Sequence, residues 1–391
     1  MSGRPVAIVV HATYPQDQRV RRQATALVQA GHEVDVFGLR DTGQKAREEF
    51  EGVQVHRLPV NRTWYGMLGH LAEYLAFLGV ATVALTRAHR RRHYGLVQVA
   101  TVPDFLALAA VPLKLAGVPL LLDLHEDMPA FYRDRFPGPS QRPLTALVSG
   151  VTRGSAAIAS ELLTVHEPLR QLSLQRGVAP ERITVVMNTP DEQIFDPSGH
   201  PRRGFMEDGE LRLIHHSNLQ RLYGLEFAVE AVALLRDLPV RLDVYGDGPY
   251  RPQIVETIQR TATADRVELH GRVALEELPG LLAGSDIGLV PTRPEPYAEY
   301  SLSTKLLEYA VMGVPIIASD LLTFRAHLDG RAIRYVPGAD PSALADAIRA
   351  DMADPQATVA RGLEAQRQSA PYAWPGQRAR YLGVVERLLR A

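Results

Sequence analysis

Three stretches of this 391-residue chain place side chains capable of chemistry at the ends of predicted strands. The densest runs from Pro291 to Tyr309 and continues as Gly313-Val-Pro-Ile-Ile-Ala. A loop after a strand delivers Ser301, Ser303 and Thr304 to a helix start, where N–H groups without intrahelical partners suit a phosphate. Lys305 follows, and Glu308 lies one turn on, on nearly the same helical face. A carboxylate there can accept two hydrogen bonds from a ribose diol, while Lys305 complements phosphate charge. The plainer alternative is a solvated i,i+3 Lys–Glu pair.

The second stretch is Asp123-Leu-His125-Glu126-Asp127, directly after the apolar run Leu120–Leu122. Four polar, titratable groups at the C-terminal end of a strand stand where α/β active sites form. Carboxylates with a histidine can hold Mg or Mn. A metal-free hydrogen-bonding role for His125, or a structural one, is the alternative. The third stretch, Val244-Tyr-Gly246-Asp-Gly248-Pro249, lies between a strand and a helix, so its glycines let the backbone approach a ligand. The third glycine of a dinucleotide fingerprint is missing, which argues against NAD or FAD. No G-x-x-x-x-G-K-[ST] loop occurs.

The elements that must position these groups alternate as βαβ units. Strands are expected at Val6–Val10, His32–Phe37, Val53–Leu58, Leu96–Ala100, Leu120–Leu124, Ser155–Ser160 and Ile183–Met187, with a helix at Arg19–Ala30 closed by Gly31. Asn188–Gly209 is rich in Pro, Gly and charge and reads as a linker. A second series follows, with strands at Leu211–His215, Val240–Tyr245, Val267–His270, Ile287–Val290 and Val314–Ala318, and helices at Gly224–Leu235, Pro249–Ala262 and Ser303–Met312. This pattern gives an α/β protein with a first domain over 1–187, a linker over 188–208 and a second domain over 209–370. Residues 371–391 form a final helix that crosses back to the first domain. Two Rossmann-like domains of this kind imply a ligand site in the cleft between them.

Composition narrows the function classes. Forty-three basic against forty-four acidic residues leave a net charge of −1, unlike a dedicated nucleic-acid binder. The absence of cysteine excludes disulfides, thiol catalysis and thiolate metal sites. No signal-peptide pattern opens the chain, so a cytoplasmic location is expected. Residues 64–86 are long and apolar enough to span a membrane. Glu73 and the interspersed glycines and His70 favour a core or surface helix instead, one whose C-terminal end carries Arg87, Arg90, Arg91 and Arg92. That helix is a candidate for peripheral contact with the inner face of a membrane.

Taken in order, these fragments resemble the retaining glycosyltransferases of the GT-B fold, in the large group of family 4 (group 1) enzymes. The resemblance rests on Asp17-Gln-Arg-Val-Arg-Arg-Gln-Ala24, Gly31-His-Glu-Val-Asp-Val36, Asp123-Leu-His-Glu126, Asn188-Thr-Pro-Asp, Gly246-Asp-Gly-Pro249, His270-Gly-Arg-Val273, Lys305-Leu-Leu-Glu-Tyr309 and Gly313 to Asp320. It implies a nucleotide-sugar donor on the C-terminal domain, an acceptor on the N-terminal one, and neither metal nor other cofactor. By the same resemblance, Glu308 binds the donor ribose, and the backbone of Tyr300, Ser301, Leu302, Ser303 and Thr304 meets the diphosphate and sugar. Val273 meets the nucleobase, Gly246 lies beside the donor, and His125 stands near the transferred sugar. Lys305 and Arg221 are the expected catalytic cations. Arg19, Arg22, Asp123 and Glu126 are expected on the acceptor side, the acceptor being a small molecule, a glycan or a lipid-linked group.

Two departures stand out. Many members carry a glutamate eight positions before the ribose-binding one; here Tyr300 stands there, with Glu299 beside it. Asn218 and Tyr223 occupy positions where the group usually has two cations, which leaves Arg221 or Arg293 to replace them. The alternatives are a catalytically impaired nucleotide-sugar-binding subunit and a nucleotide-sugar 2-epimerase of the same fold. The epimerase would draw its acid–base pair from Asp123, His125 and Glu126.

Overall fold

A computed structural model describes residues 3–60, 66–135 and 141–390. The chain divides into two compact units, Met1–Asn188 with Pro375–Ala391, and Thr189–Trp374. Trp64 and Tyr65 of the apolar stretch lie outside the described residues.

The first unit runs β1 (Gly3–Val10), α1 (Gln18–Gln29), β2 (His32–Leu39), β3 (Arg47–Phe50), β4 (Val53–Leu58), α2 (Gly66–Arg92), β5 (Leu96–Ala100), α3 (Val111–Leu115), β6 (Leu120–Leu124), α4 (Met128–Arg135), α5 (Gln141–Ile158), β7 (Glu161–Thr164), α6 (Glu167–Gln175) and β8 (Ile183–Val185). Its sheet has the order β3-β4-β2-β1-β5-β6-β7-β8. Every pairing is parallel except β3 with β4. Val6–Val10 is buried throughout, which explains a strand without polar alternation. Asp17 caps α1 by accepting from Val20 N at 3.1 Å, and Val20, Ala24 and Leu27 face the core.

Ser155–Ser160, expected as a strand, instead carries the end of α5, and the strand follows at Glu161. The stretch contains one β-branched residue among Ala and Ser, so its small side chains continue the helix, with Ala156 and Ala159 packed in the core. The charged antiparallel edge strand β3, Arg-Glu-Glu-Phe, lies outside the strands expected from apolar runs.

The second unit runs β9 (Leu211–His216), α7 (Leu225–Ala233), β10 (Val240–Tyr245), α8 (Arg251–Thr261), β11 (Val267–Gly271), α9 (Leu278–Ala283), β12 (Ile287–Val290), α10 (Thr304–Val311), β13 (Ile316–Ser319), α11 (Leu322–Arg325), β14 (Ile333–Val336), α12 (Pro341–Ala353) and α13 (Pro355–Ser369). Its sheet is parallel throughout, ordered β11-β10-β9-β12-β13-β14. Residues 189–208 belong to this unit rather than standing apart from it: Phe195 is 2% exposed, in the cluster that holds Ile214 and Leu306. Arg202 also donates to Ser285 O at 2.9 Å.

The last helix, α14 (Trp374–Arg390), belongs to the first unit from Pro375 on. Tyr381 Oη donates to Gln98 Oε1 at 2.7 Å, and Gln377 Oε1 accepts from Met187 N at 3.0 Å.

Candidate functional site

In the second unit, β9 ends on His215-His216, and α10 sets Lys305 and Glu308 one turn apart on its inner side. His216 Nε2 lies 3.2 Å from Glu308 Oε2. Lys305 Nζ stands 3.8 Å above the centre of the Tyr223 ring, a cation–π contact that replaces part of its lost hydration. Lys305 is 5% exposed, so the surface ion-pair alternative does not describe this site.

Burial sets the protonation of the cluster. It pushes Glu308 up to about 7, against Lys305 and a Thr304 hydrogen bond, and brings Lys305 down to about 8, against Glu308. Burial and then Lys305 bring His215 down to about 3, while burial, Lys305 and His215 hold His216 well below its usual range. His215 is therefore neutral: its Nδ1–H donates to Leu289 O at 3.0 Å, which leaves Nε2 to accept from Ser217 Oγ at 2.9 Å. Glu308 Oε2, His216 Nε2 and Ser303 Oγ are buried and lack a hydrogen-bond partner among the described residues. Ser303 occupies the N-cap of α10 without capping it, so its hydroxyl is available beside the exposed amides of the first turn. Such uncompensated groups are costly unless something polar meets them.

Beside this cluster opens a cavity of 470 Å³, in the range of small-molecule sites. Its lining includes His216, Asn218, Tyr245, Gly246, Arg272 and Val273. Gly246 has φ +130°, and a Cβ there would stand 1.8 Å from Ser217 O, so only glycine lets β10 end against this loop. Tyr245 is stacked on His270 with ring centres 4.5 Å apart, which fixes one wall. Arg272 is exposed at the rim.

The remaining predicted residues fall as follows. Ser301, Leu302 and Ser303 are half-buried and Thr304 is exposed, all at the entry to α10. Tyr300 closes the short turn Ala298–Tyr300. Glu299 faces elsewhere, accepting from Leu322 N at 2.7 Å, so it does not stand in for the missing glutamate. Arg221 is paired with Glu295, and Arg293 with Glu226, the latter guanidinium lying 4.6 Å over Phe227. The cation grouped with Glu308 and His216 is Lys305. His216 was not singled out from sequence, and Tyr223 was noted there only as the place of a missing cation, not as a partner of Lys305. The doublet His215-His216 at a strand's C-terminal end was the available signal for the former.

In the first unit, Asp123 is 2% exposed and is held by Gln23 Nε2 at 3.1 Å and Arg19 at 3.3 Å. Arg19 also donates to Thr101 O at 3.1 Å. Thr101 Oγ1 accepts from His125 N at 3.2 Å, which fixes the backbone after β6. Burial, then Arg19 and His166, hold His125 well below its usual range, so the imidazole is neutral at pH 7. Glu126 lies 4.0 Å from His125 Nδ1, and both are half-buried. Arg22 is half-buried on α1. Asp127 is taken by Arg176 through two bonds of 2.7 and 3.0 Å, so Asp123 and Asp127 each face a protein cation rather than a shared point. Among the described residues, Asp243, Glu268 and His270 have the mutual proximity of metal ligands, but Arg241 bridges the two carboxylates.

Comparison with known proteins returns two family profiles. Residues 16–189 match the glycosyl transferase 4-like domain, and residues 210–354 match glycosyl transferases group 1. The 2-deoxystreptamine glucosyltransferase of Streptomyces kanamyceticus is 26% identical, over 77% of this chain and 79% of its own. The D-inositol 3-phosphate glycosyltransferase of Arthrobacter sp. (strain FB24) is 26% identical, over 91% and 86%. Among solved structures, sucrose-phosphate synthase from Thermosynechococcus elongatus aligns with TM-score 0.79 at 20% identity, over 99% of both chains. Anabaena HepE in complex with UDP aligns with TM-score 0.72 at 18% identity, over 99% of this chain and 100% of its own. At these identities the structural likeness establishes the two-domain α/β fold of the GT-B type and no more.

Proposed function

The chain belongs to the group 1, family 4-like glycosyltransferases, and from that premise we propose that it is a retaining, metal-independent enzyme that moves a hexosyl group from a nucleotide-sugar to an acceptor hydroxyl. The observation that carries this reading is the largely buried Glu308–His216 contact with Lys305, made by the first two turns of α10 and the end of β9 beside the cavity lined by Val273 and Gly246. Glu308 accepts the ribose hydroxyls, and the Val273 main chain meets the base. The amides over Ser301–Thr304 and the Lys305 ammonium take up the charge that grows on the departing diphosphate. Fixed donors aimed at developing charge supply the main catalytic contribution in such chemistry. Tyr223 stands where the family resemblance implies a cation, and it contributes by holding Lys305 over its ring. Neutral His125, with Arg19 and Glu126 near it, serves the transferred sugar, and Arg19, Arg22, Asp123 and Glu126 serve the acceptor side.

The acceptor hydroxyl loses its proton to the departing phosphate as it attacks from the same face, so neither a covalent intermediate nor a bound cation is required. Tyr300, in place of a second acid, favours one further reading: a subunit that binds the donor and transfers poorly. A screen of UDP-, GDP-, ADP- and TDP-sugars for nucleoside diphosphate release separates the two. Turnover with one donor supports the enzyme. Binding of a donor with no turnover in the presence of any acceptor supports the subunit.

A further inference from the structure

The long helix α2 shows two faces. Phe77, Ala81 and Leu85 are fully buried in the first unit's core, and Glu73, the one acidic residue from Gly66 to Arg92, turns inward to His11 at 3.3 Å. This packing ties the helix to its own unit and is incompatible with its crossing a bilayer, although its composition would allow that. The outer face repeats every four residues. Leu71, Leu75, Gly79 and Val83 are exposed, Leu75 by 52%, and Arg87 and Arg91 continue the same line with Arg90 beside them. Of the most apolar 18-residue window only 22% is buried. The stripe from Leu71 to Arg91 is about 30 Å long at 1.5 Å per residue.

Charge on this face is of one sign. Arg92 is committed to Glu33 and Asp35, whereas Arg87, Arg90 and Arg91 have no ion pair among the described residues. We infer that the outer face of α2 docks the protein on an anionic membrane surface, with Leu71, Leu75 and Val83 in the boundary between headgroups and acyl chains and the three arginines against lipid phosphates. An apolar stripe ending in unpaired cations has the chemistry of an interfacial helix. A second copy of the chain fits less well, because an isologous contact would offer these arginines the same acid-free face.

The test is sedimentation of the full chain with vesicles of phosphatidylcholine alone or mixed with phosphatidylglycerol, at about 0.1 M salt and above, where screening shortens. The chain is expected to sediment with the anionic vesicles and to be released as salt rises. Combined R87E, R90E and R91E should lower the bound fraction at least about tenfold. L75D should also weaken binding, while melting temperature and nucleotide affinity stay unchanged in both variants. Nucleotide affinity is read separately, so failure here leaves the donor-site proposal standing. Recovery in the pellet no greater than without lipid, or binding indifferent to the arginines, overturns the inference. So does concentration-dependent self-association that L75D abolishes in the absence of lipid binding.

Discussion

Burying a carboxylate and an ammonium one turn apart on α10 costs more than a surface pair would, and their protonation shows that cost. Glu308 is raised to about 7 and Lys305 lowered to about 8 by the same desolvation, each opposed by the other. A diphosphate needs the ammonium and a ribose diol needs the carboxylate. Nucleotide affinity is therefore expected to rise with pH as Glu308 ionises near 7 and to fall as Lys305 deprotonates above about 8. Titration calorimetry across that range checks the window, and a flat profile would contradict it. Linkage to folding has a definite sign. Because the folded pKa of Glu308 lies above its unfolded value, its contribution to stability is full below that unfolded value and is lost as pH rises through about 7. The stability of the wild type relative to Glu308→Gln should accordingly decline between acid and neutral pH in urea unfolding. Lys305→Met should lower kcat by about 10²–10³, the usual effect of removing one donor to a developing oxyanion. Lys305 and Glu308 were legible in the sequence from their spacing. Tyr223 beneath Lys305 and the ties of Arg221 to Glu295 were not, because a loop side chain's partner is set by tertiary packing.

Between elements, the first unit contains a buried polar chain that no local pattern announces. Tyr381 on α14 donates to Gln98 on β5, Gln98 Nε2 donates to Gln23 on α1 at 2.7 Å, and Gln23 donates to Asp123 on β6. All four residues are at most 2% exposed, so each lost partner leaves a desolvated polar group behind. Tyr381→Phe should destabilise the protein by about 1–3 kcal/mol. Urea denaturation measures this, and a change near zero would mean that the chain is not satisfied as drawn. The same scale explains where strand expectations held and where they failed. Continuous apolar runs such as Val6–Val10 and Ile287–Val290 become central strands, since both faces are covered. Ser155–Ser160 does not, because length and apolarity alone do not separate a short strand from a helix end.

At the scale of the molecule, alternation of strand and helix signals made the parallel strands of both sheets legible, though not the antiparallel edge strand β3. The assignment of the chain's end was carried only by periodicity without a partner strand. Residues 375–391 complete the first unit, so that unit is discontinuous in sequence and includes α14 from Pro375 on. Net charge says little by comparison: with basic and acidic residues nearly balanced, function depends on a few placed cations, above all Lys305. The central claim is that the Glu308 cluster of the second unit holds a nucleoside diphosphate. Calorimetric titration of UDP, GDP and ADP into the full chain and into Glu308→Ala, at about pH 7.5 between the two titrations, tests it most directly. The expected result is saturable binding of at least one nucleotide to the wild type, weakened at least about tenfold in the variant, as loss of a charge-assisted hydrogen bond requires. Absence of binding by all three at millimolar concentration, or an unchanged dissociation constant in Glu308→Ala, would contradict it.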